Sequence, residues 1–295
     1  MTPTEKNRNL VIRVVTSLVL LPGILWLIWL GGLPFALLIS VAAAMCALEL
    51  NLLPTHLPPQ ETKKSLLAEE IEELEMERAV LTGAAIVSLG GAFLLPLLHE
   101  IHFGIVSTKL VLTVVLIIAF ADALVFEDQI ANAPRRVSLA VLGVVYPGLL
   151  LSSLVRIRQL ETGEWWIVLT LAVTWLNDTC AYFAGRAFGE RKLYERISPS
   201  KTWEGAIGGA LGSIAGAVIV QHFWIPQLPA WGALVIGAGA AVVGPVGDLS
   251  ESLLKRAYGA KDSGRLLPGH GGMLDRIDAL IFNAPFVLLC ARLFA

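Results

Sequence analysis

Charge is scarce in this chain. Asp, Glu, Lys and Arg make up 16% of its 295 residues, against about 25% in an ordinary soluble domain. A net charge of −2 leaves no bulk field to gather a polyanion, so no nucleic-acid partner is expected. Cysteine is equally thin. Cys46, Cys180 and Cys290 stand far apart with no CxxC pair, which argues against a disulfide framework or a thiolate zinc site. The long apolar stretches also lack a polar stripe. The segment "LVLTVVLIIAFADALVF" has almost no polar positions at helical period, whereas a helix on the surface of a soluble protein would show them. The short alternating segments of a transmembrane barrel are missing too.

What is present is apolar sequence in long runs, with 56% of residues hydrophobic. Residues 10–30, 33–53, 79–98, 105–126, 137–155, 165–185, 205–225, 229–247 and 279–295 are each mostly apolar. Each is close to the roughly 20 residues that carry a helix across a bilayer. Lipid requires every span to satisfy its own backbone, which favours helices. The expectation is an all-α polytopic integral membrane protein with about nine transmembrane helices. Lys6 and Arg8 precede the first run as they would in a signal peptide, but the run is too long and a second follows at once, so a retained helix is read. With the N-terminus inside, every basic residue except Lys109, Arg156, Arg158 and Arg292 falls on the inner side. The topology expected is therefore N-in, C-out.

Two regions are expected: an N-terminal transmembrane region, 1–160, with a polar cytoplasmic insert at 54–78, and a C-terminal catalytic transmembrane region, 161–295. In the insert, "LPPQETKK" is a linker and "SLLAEEIEELEMER" an amphipathic helix with Leu67, Ile71 and Leu74 on one face. No chemistry is placed there.

Polar residues that suggest chemistry fall into two clusters. The first begins inside the sixth run. Asp178 costs about 2.5–3.5 kcal/mol at the centre of a span, so it needs a partner, either a cation or a group within the bundle. After it come Arg186, Arg191, Lys192, Arg196 and "SPSKT", whose Ser198, Lys201 and Thr202 have the hydroxyls and ammonium of a phosphate site. The glycine framework of a Walker A loop is absent. The second cluster starts at Asp248 and Glu251 and continues through "KRAYGAKDSGRLLPGHGGMLDRID", residues 255–278. Asp275 and Asp278 are three apart and share a helical face. Carboxylates from two helix ends suit Mg2+, which takes one or two of them together with substrate phosphates. A second cation is compatible with paired carboxylates. Lys255, Arg256, Lys261 and Arg265 are placed to hold phosphate oxygens. Gly269, Gly271 and Gly272 let backbone amides approach an anion, and His270 is read as a phosphate donor or a loop-ordering residue. Ser263, between Lys261 and Arg265, is expected to be an accessible loop position. Together these are the parts of a phosphoryl or nucleotidyl transferase at one membrane face. A transporter would scatter polar residues through broken helices near the midplane.

The run from Ser252 to Asp278 resembles the signature of the phosphatidate cytidylyltransferases (CDP-diacylglycerol synthases): Ser252, Leu253, Leu254, Lys255, Arg256, then Lys261, Asp262, Gly264, Pro268, His270, Gly271, Gly272, Asp275, Arg276 and Asp278. "NDTCAYFAGRAFG" and "ISPSKTWEG" are similar to stretches of the same family, and the resemblance covers residues 165–295. It implies the reaction of CTP with phosphatidic acid to give CDP-diacylglycerol and pyrophosphate in phospholipid biosynthesis. It also implies Asp248, Asp275 and Asp278 as metal ligands, with Asp178 as a fourth acidic contributor, and an enzyme of the bacterial inner (plasma) membrane whose active site faces the cytoplasm. A homodimer is expected partly on the same ground, since Gly205, Gly208, Gly209, Gly212 and Gly216 permit close helix packing within one chain or between two. Two alternatives remain open: a related CTP-dependent enzyme on an isoprenoid lipid (a cytidylyltransferase or polyprenol kinase), and a non-enzymatic lipid or ion transporter.

Overall fold

The computed structural model describes residues 22–56, 83–101, 104–126, 130–264, 266 and 271–294. Most of the first expected span, most of the 54–78 insert, Arg265 and His270 lie outside them. Residues 22–30 are helical. The helices that follow are α1 (Gly32–Leu52), α2 (Gly83–Glu100), α3 (Gly104–Phe126), α4 (Ala133–Gly143), α5 (Leu150–Arg158), α6 (Gly163–Phe188), α7 (Trp203–Trp224), α8 (Ala230–Ala257) and α9 (Leu274–Phe294). Among the described residues, seven helical segments are long and apolar enough to cross a membrane, and a shorter one spans Ala85–Glu100. The chain is an all-α polytopic integral membrane protein. Its outward faces suit lipid: Leu211 and Val242 are 66% and 65% exposed, a liability in water and the expected surface in hydrocarbon.

The chain divides into two compact units, residues 1–152 with 257–276, and residues 153–256 with 277–295. In the first, α1 to α4 pack through small residues. A Cβ at Gly91 would come 2.8 Å from Val144 and 3.0 Å from Val115, and one at Gly148 would come 2.7 Å from the Cα of Ala92. Leu95, Val115 and Val144 form one buried cluster, and Ala119, Ala123, Val137 and Ala140 another. The expected span 137–155 is α4 and α5 joined by a π-helical turn, Val144–Leu149, that contains Pro147. Proline has no N–H to give the helical ladder, which accounts for the local widening. Asp122, the acidic end of α3, is ion-paired with Arg136 of α4 at 2.8 Å.

In the second unit, α6 and α7 pack along a glycine stripe. Gly205, Gly208, Gly212 and Gly216 of α7 face Ala181, Ala184, Cys180, Leu176 and Ala172 of α6. The packing that the sequence left open thus takes place within the chain. Between these helices is an element not read from sequence, a two-stranded antiparallel hairpin of β1 (Lys192–Tyr194) and β2 (Ser198–Thr202). Helices also outrun their apolar stretches. α8 continues ten residues past the expected end at 247, to Ala257, because "ESLLKRA" is made of good helix formers although it is no longer apolar. Lys255 and Arg256 therefore belong to a helix end, not to a loop.

Candidate active site

The second unit contains a cavity of about 440 Å³ whose lining includes Asp178, Tyr182, Arg186, Ser200, Lys201 and Asp248. Three elements supply these groups. α6 brings Asp178 and, one and two turns on, Tyr182 and Arg186. An arginine Nη1 donates to the Tyr182 hydroxyl at 3.0 Å. β2 brings Ser200 and Lys201, and α8 brings Asp248, three residues after Pro245. The hairpin is fixed to α7 at several points. Thr202 is the N-cap of α7, its Oγ1 accepting from the Gly205 amide at 3.1 Å. Glu204 Oε2 accepts from the amides of Glu190 and Arg191 at 3.1 and 3.2 Å. With its strands held in this way, the hairpin carries Lys201 to Asp248, where Nζ and Oδ2 are 2.6 Å apart.

Asp178 opens on the cavity and receives a long contact, 3.5 Å, from Asn177 Nδ2. Asp278, in the second turn of α9, accepts from the Ala279 amide through Oδ1 at 2.7 Å and lies within electrostatic reach of Asp248, Asp178 and Lys201. The structure thus brings Asp178, Asp248 and Lys201 to one cavity, with Asp278 within electrostatic reach of them. These are hard oxygen donors beside one ammonium, with no cysteine or histidine, and among the described residues no group of three or more His, Cys, Asp and Glu is placed to hold a metal ion by itself. That set fits magnesium shared with a substrate's phosphates better than a metal held by protein alone.

The other expected residues are placed as follows. Ser198 starts β2 and is not part of the cavity lining. Thr202 lines the cavity, but its hydroxyl oxygen serves as a helix cap. Lys255 is buried and ion-paired at 2.5 Å with Glu251 on the same helix. Arg256 Nε reaches the carbonyl of Ile197 at 3.4 Å, at the hairpin turn.

The first unit holds the polar loop. Lys261 and Asp262 are exposed, whereas Ser263 is fully buried, contrary to its expected accessibility. The reason is its hydrogen bonding. Ser263 donates its amide to Asp275 Oδ2 at 2.9 Å, and its Oγ lies 3.0 Å from that oxygen and 2.9 Å from Glu49 Oε2. Asp275 Oδ2 also accepts from the Gly272 amide at 3.2 Å. Gly271 has φ +83°, a conformation that glycine adopts without strain. Sequence reasoning missed Glu49. It is a fully buried carboxylate in the last turn of α1, and the argument applied to Asp178, a charge inside an apolar span, was the signal that could have found it. Tyr182 and Ser200 were also not singled out, and Arg186 was read only as one of the basic residues that follow Asp178. Only their meeting on one cavity marks them.

Residues 11–294 match the model of the cytidylyltransferase family. The chain is similar to a protein named phosphatidate cytidylyltransferase from Brucella suis biovar 1 (strain 1330), 36% identical over 289 residues, which cover 97% of this chain and 95% of that protein. It is similar in the same way to the protein of that name from Bacillus subtilis (strain 168), 32% identical over 286 residues, covering 96% and 98%. A further protein of that name, from Haemophilus influenzae (strain ATCC 51907 / DSM 11121 / KW20 / Rd), is 41% identical over 128 residues, covering 42% and 44%.

Proposed function

The chain belongs to the cytidylyltransferase family, and from that membership we propose that it transfers the cytidylyl group of CTP to phosphatidic acid, leaving CDP-diacylglycerol in the membrane and releasing pyrophosphate. The observation that carries this reading is the cavity of the second unit, where Asp178, Lys201 and Asp248 meet, in a chain that aligns nearly end to end with proteins named for the activity.

The chemistry asks little of the protein in proton transfer. A phosphate monoester has a second pKa of about 6, so the lipid phosphate is largely a dianion at neutral pH and attacks without a strong base. One of its oxygens bonds to the α-phosphorus of CTP. The bond from that phosphorus to the oxygen bridging to the β-phosphate breaks, and pyrophosphate leaves with the electron pair. The obstacle is repulsion between two anions, so catalysis is mainly positioning and charge neutralisation. Lys201 and Arg186 bind phosphate oxygens at the cavity. Asp178, Asp248 and Asp278 would hold magnesium, which when bound supplies positive charge to the triphosphate. Asp275 enters as the carboxylate that orders the loop. The acyl chains stay in the bilayer, and the site faces the cytoplasm, where CTP is found.

Purified protein given phosphatidic acid and CTP should move label into chloroform-soluble product when the label is in the cytosine or the α-phosphate. Label in the γ-phosphate should stay in water. Lipid-soluble γ-label would instead mark a kinase, and no lipid-soluble label of either kind would remove the enzymatic reading.

A further inference from the structure

Asp178, Tyr182 and Arg186 follow one another at intervals of four along α6, so they stand on one face of the helix. All three line the cavity of the second unit. Two cations face that cavity, and they are not equivalent. Lys201 is already paired with Asp248 at 2.6 Å. Arg186 has no carboxylate within ion-pair distance among the described residues. Its partner is neutral: Nη1 donates to the Tyr182 hydroxyl at 3.0 Å. That bond shows which way the side chain lies. It runs back toward the N-terminal end of α6, as long helical side chains do, and so toward Asp178 rather than out past the helix end at Phe188. Both side chains are exposed, Tyr182 by 59%. Net of the water it displaces, a hydrogen bond between exposed groups adds little to the fold, and it costs the arginine its rotamer freedom. The bond therefore has a weak reason in stability. Tyr182 is well suited to hold something else still, since its ring meets Phe183 edge-on, with centroids 5.4 Å apart and planes at 72°.

We propose that Tyr182 is a positioning residue that holds Arg186 over the cavity, so that the guanidinium receives the pyrophosphate part of CTP, the group that leaves. The inference rests on the function proposed above, and every residue in it belongs to the second unit. A guanidinium fixed beforehand loses less freedom when an anion arrives, and its planar fork matches phosphate oxygens. The position along α6 assigns the phosphate. Tyr182 and Arg186 lie about 6 and 12 Å nearer the helix end than Asp178. The lipid phosphate is tethered to the bilayer by its acyl chains, whereas the terminal phosphates of CTP come from water, so donors toward the helix end fit the latter. As the bond from the α-phosphorus breaks, negative charge gathers on the pyrophosphate, and a donor already aimed there stabilises it without rearrangement.

Tyr182→Phe removes the hydroxyl and keeps the ring against Phe183. In the purified enzyme kcat/KM for CTP should fall about tenfold, equivalent to about 1.4 kcal/mol, and the inhibition constant of pyrophosphate should rise by about the same factor. The KM for phosphatidic acid should stay within about threefold of wild type, and the melting temperature in detergent should hold, because the lost hydroxyl is exposed. Arg186→Met should lose more on both the CTP and the pyrophosphate readouts. Adding Tyr182→Phe to it should cost nothing further, since the tyrosine then has nothing to hold. Losses that multiply in the double variant would mean that Tyr182 acts by itself, and would overturn the positioning role. So would a Tyr182→Phe enzyme with wild-type values for CTP and pyrophosphate. A raised KM for phosphatidic acid with unchanged pyrophosphate inhibition would move Arg186 to the lipid phosphate and overturn the assignment. If the wild type itself does not turn over CTP, the functional reading fails. Calorimetric binding of pyrophosphate with magnesium to wild type and Tyr182→Phe then still decides whether the tyrosine presets the arginine for an anion.

Discussion

The ammonium of Lys201 lies 2.6 Å from Oδ2 of Asp248, joining strand β2 to a carboxylate within the membrane-spanning helix α8. The two side chains are 23% and 31% exposed. A pair this wet is worth about 1 kcal/mol at most, so stability alone is a weak reason for it. Substituting either partner should shift the melting temperature in detergent by only about 2–4 °C. Activity should respond far more strongly. Asp248→Asn should abolish turnover at saturating magnesium, and Lys201→Met should lower kcat/KM by about a hundredfold or more, the scale of one lost charge stabiliser. Near-normal turnover in a folded Asp248→Asn protein would remove Asp248 from the site.

Gly209 offers a packing test. A Cβ there would come 2.7 Å from Asn177 Oδ1, 2.9 Å from the Asn177 carbonyl oxygen and 3.1 Å from Ala181. The carbonyl belongs to a helix backbone and has little freedom to move. Gly209→Ala should therefore cost about 1–3 kcal/mol, as overpacking does, and reduce activity because Asn177 precedes Asp178. Gly90→Ala is the control. Nothing lies within 4 Å of its Cβ position, and the helix should gain up to about 1 kcal/mol from the better residue. Thermal melting of both proteins in one detergent checks the contrast.

The contrast between Asp178 and Glu49 shows what was legible in the sequence and why. Membrane helices were legible because lipid imposes one requirement, length of apolar run, that needs no knowledge of partners. Boundaries were less so, since α8 keeps its helical backbone beyond the point where "ESLLKRA" stops being apolar. Asp178 stood out as a costly charge followed by a basic stretch. Glu49 did not, because its donors are amides 224 and 225 residues away, and backbone amides leave no trace in composition. The same holds for Ser263. Its neighbours Lys261 and Asp262 are exposed, but its own burial follows from two carboxylates that only the fold brings to it.

Magnesium should bind the protein alone weakly and the protein with CTP more tightly. Among the described residues no three carboxylates are placed to hold a metal by themselves, and magnesium is reluctant to shed water for a partial ligand set. Dialysis against a chelator should abolish turnover, and added magnesium should restore it. Calorimetric titration with and without CTP measures the difference. Tight, stoichiometric binding in the absence of CTP would contradict the shared-ligand reading.

The orientation of the loop can be tested at two adjacent positions. Asp262 is exposed, and Ser263 is fully buried. In a background lacking Cys46, Cys180 and Cys290, Asp262→Cys should resist a membrane-impermeant thiol reagent in intact cells and react once the membrane is opened. Ser263→Cys should react slowly in both conditions, because its side chain sits between the carboxylates of Glu49 and Asp275. If Lys261 binds the triphosphate, CTP with magnesium should slow labelling at position 262 in opened membranes. Labelling of Asp262→Cys in intact cells would reverse the proposed topology. Labelling that ignores CTP would keep the topology and detach Lys261 from the nucleotide. Rapid labelling at 263 would mean that the two carboxylates do not enclose that side chain. The two positions thus separate sidedness, nucleotide contact and burial, because neighbouring residues share the first while only one is placed to report each of the others.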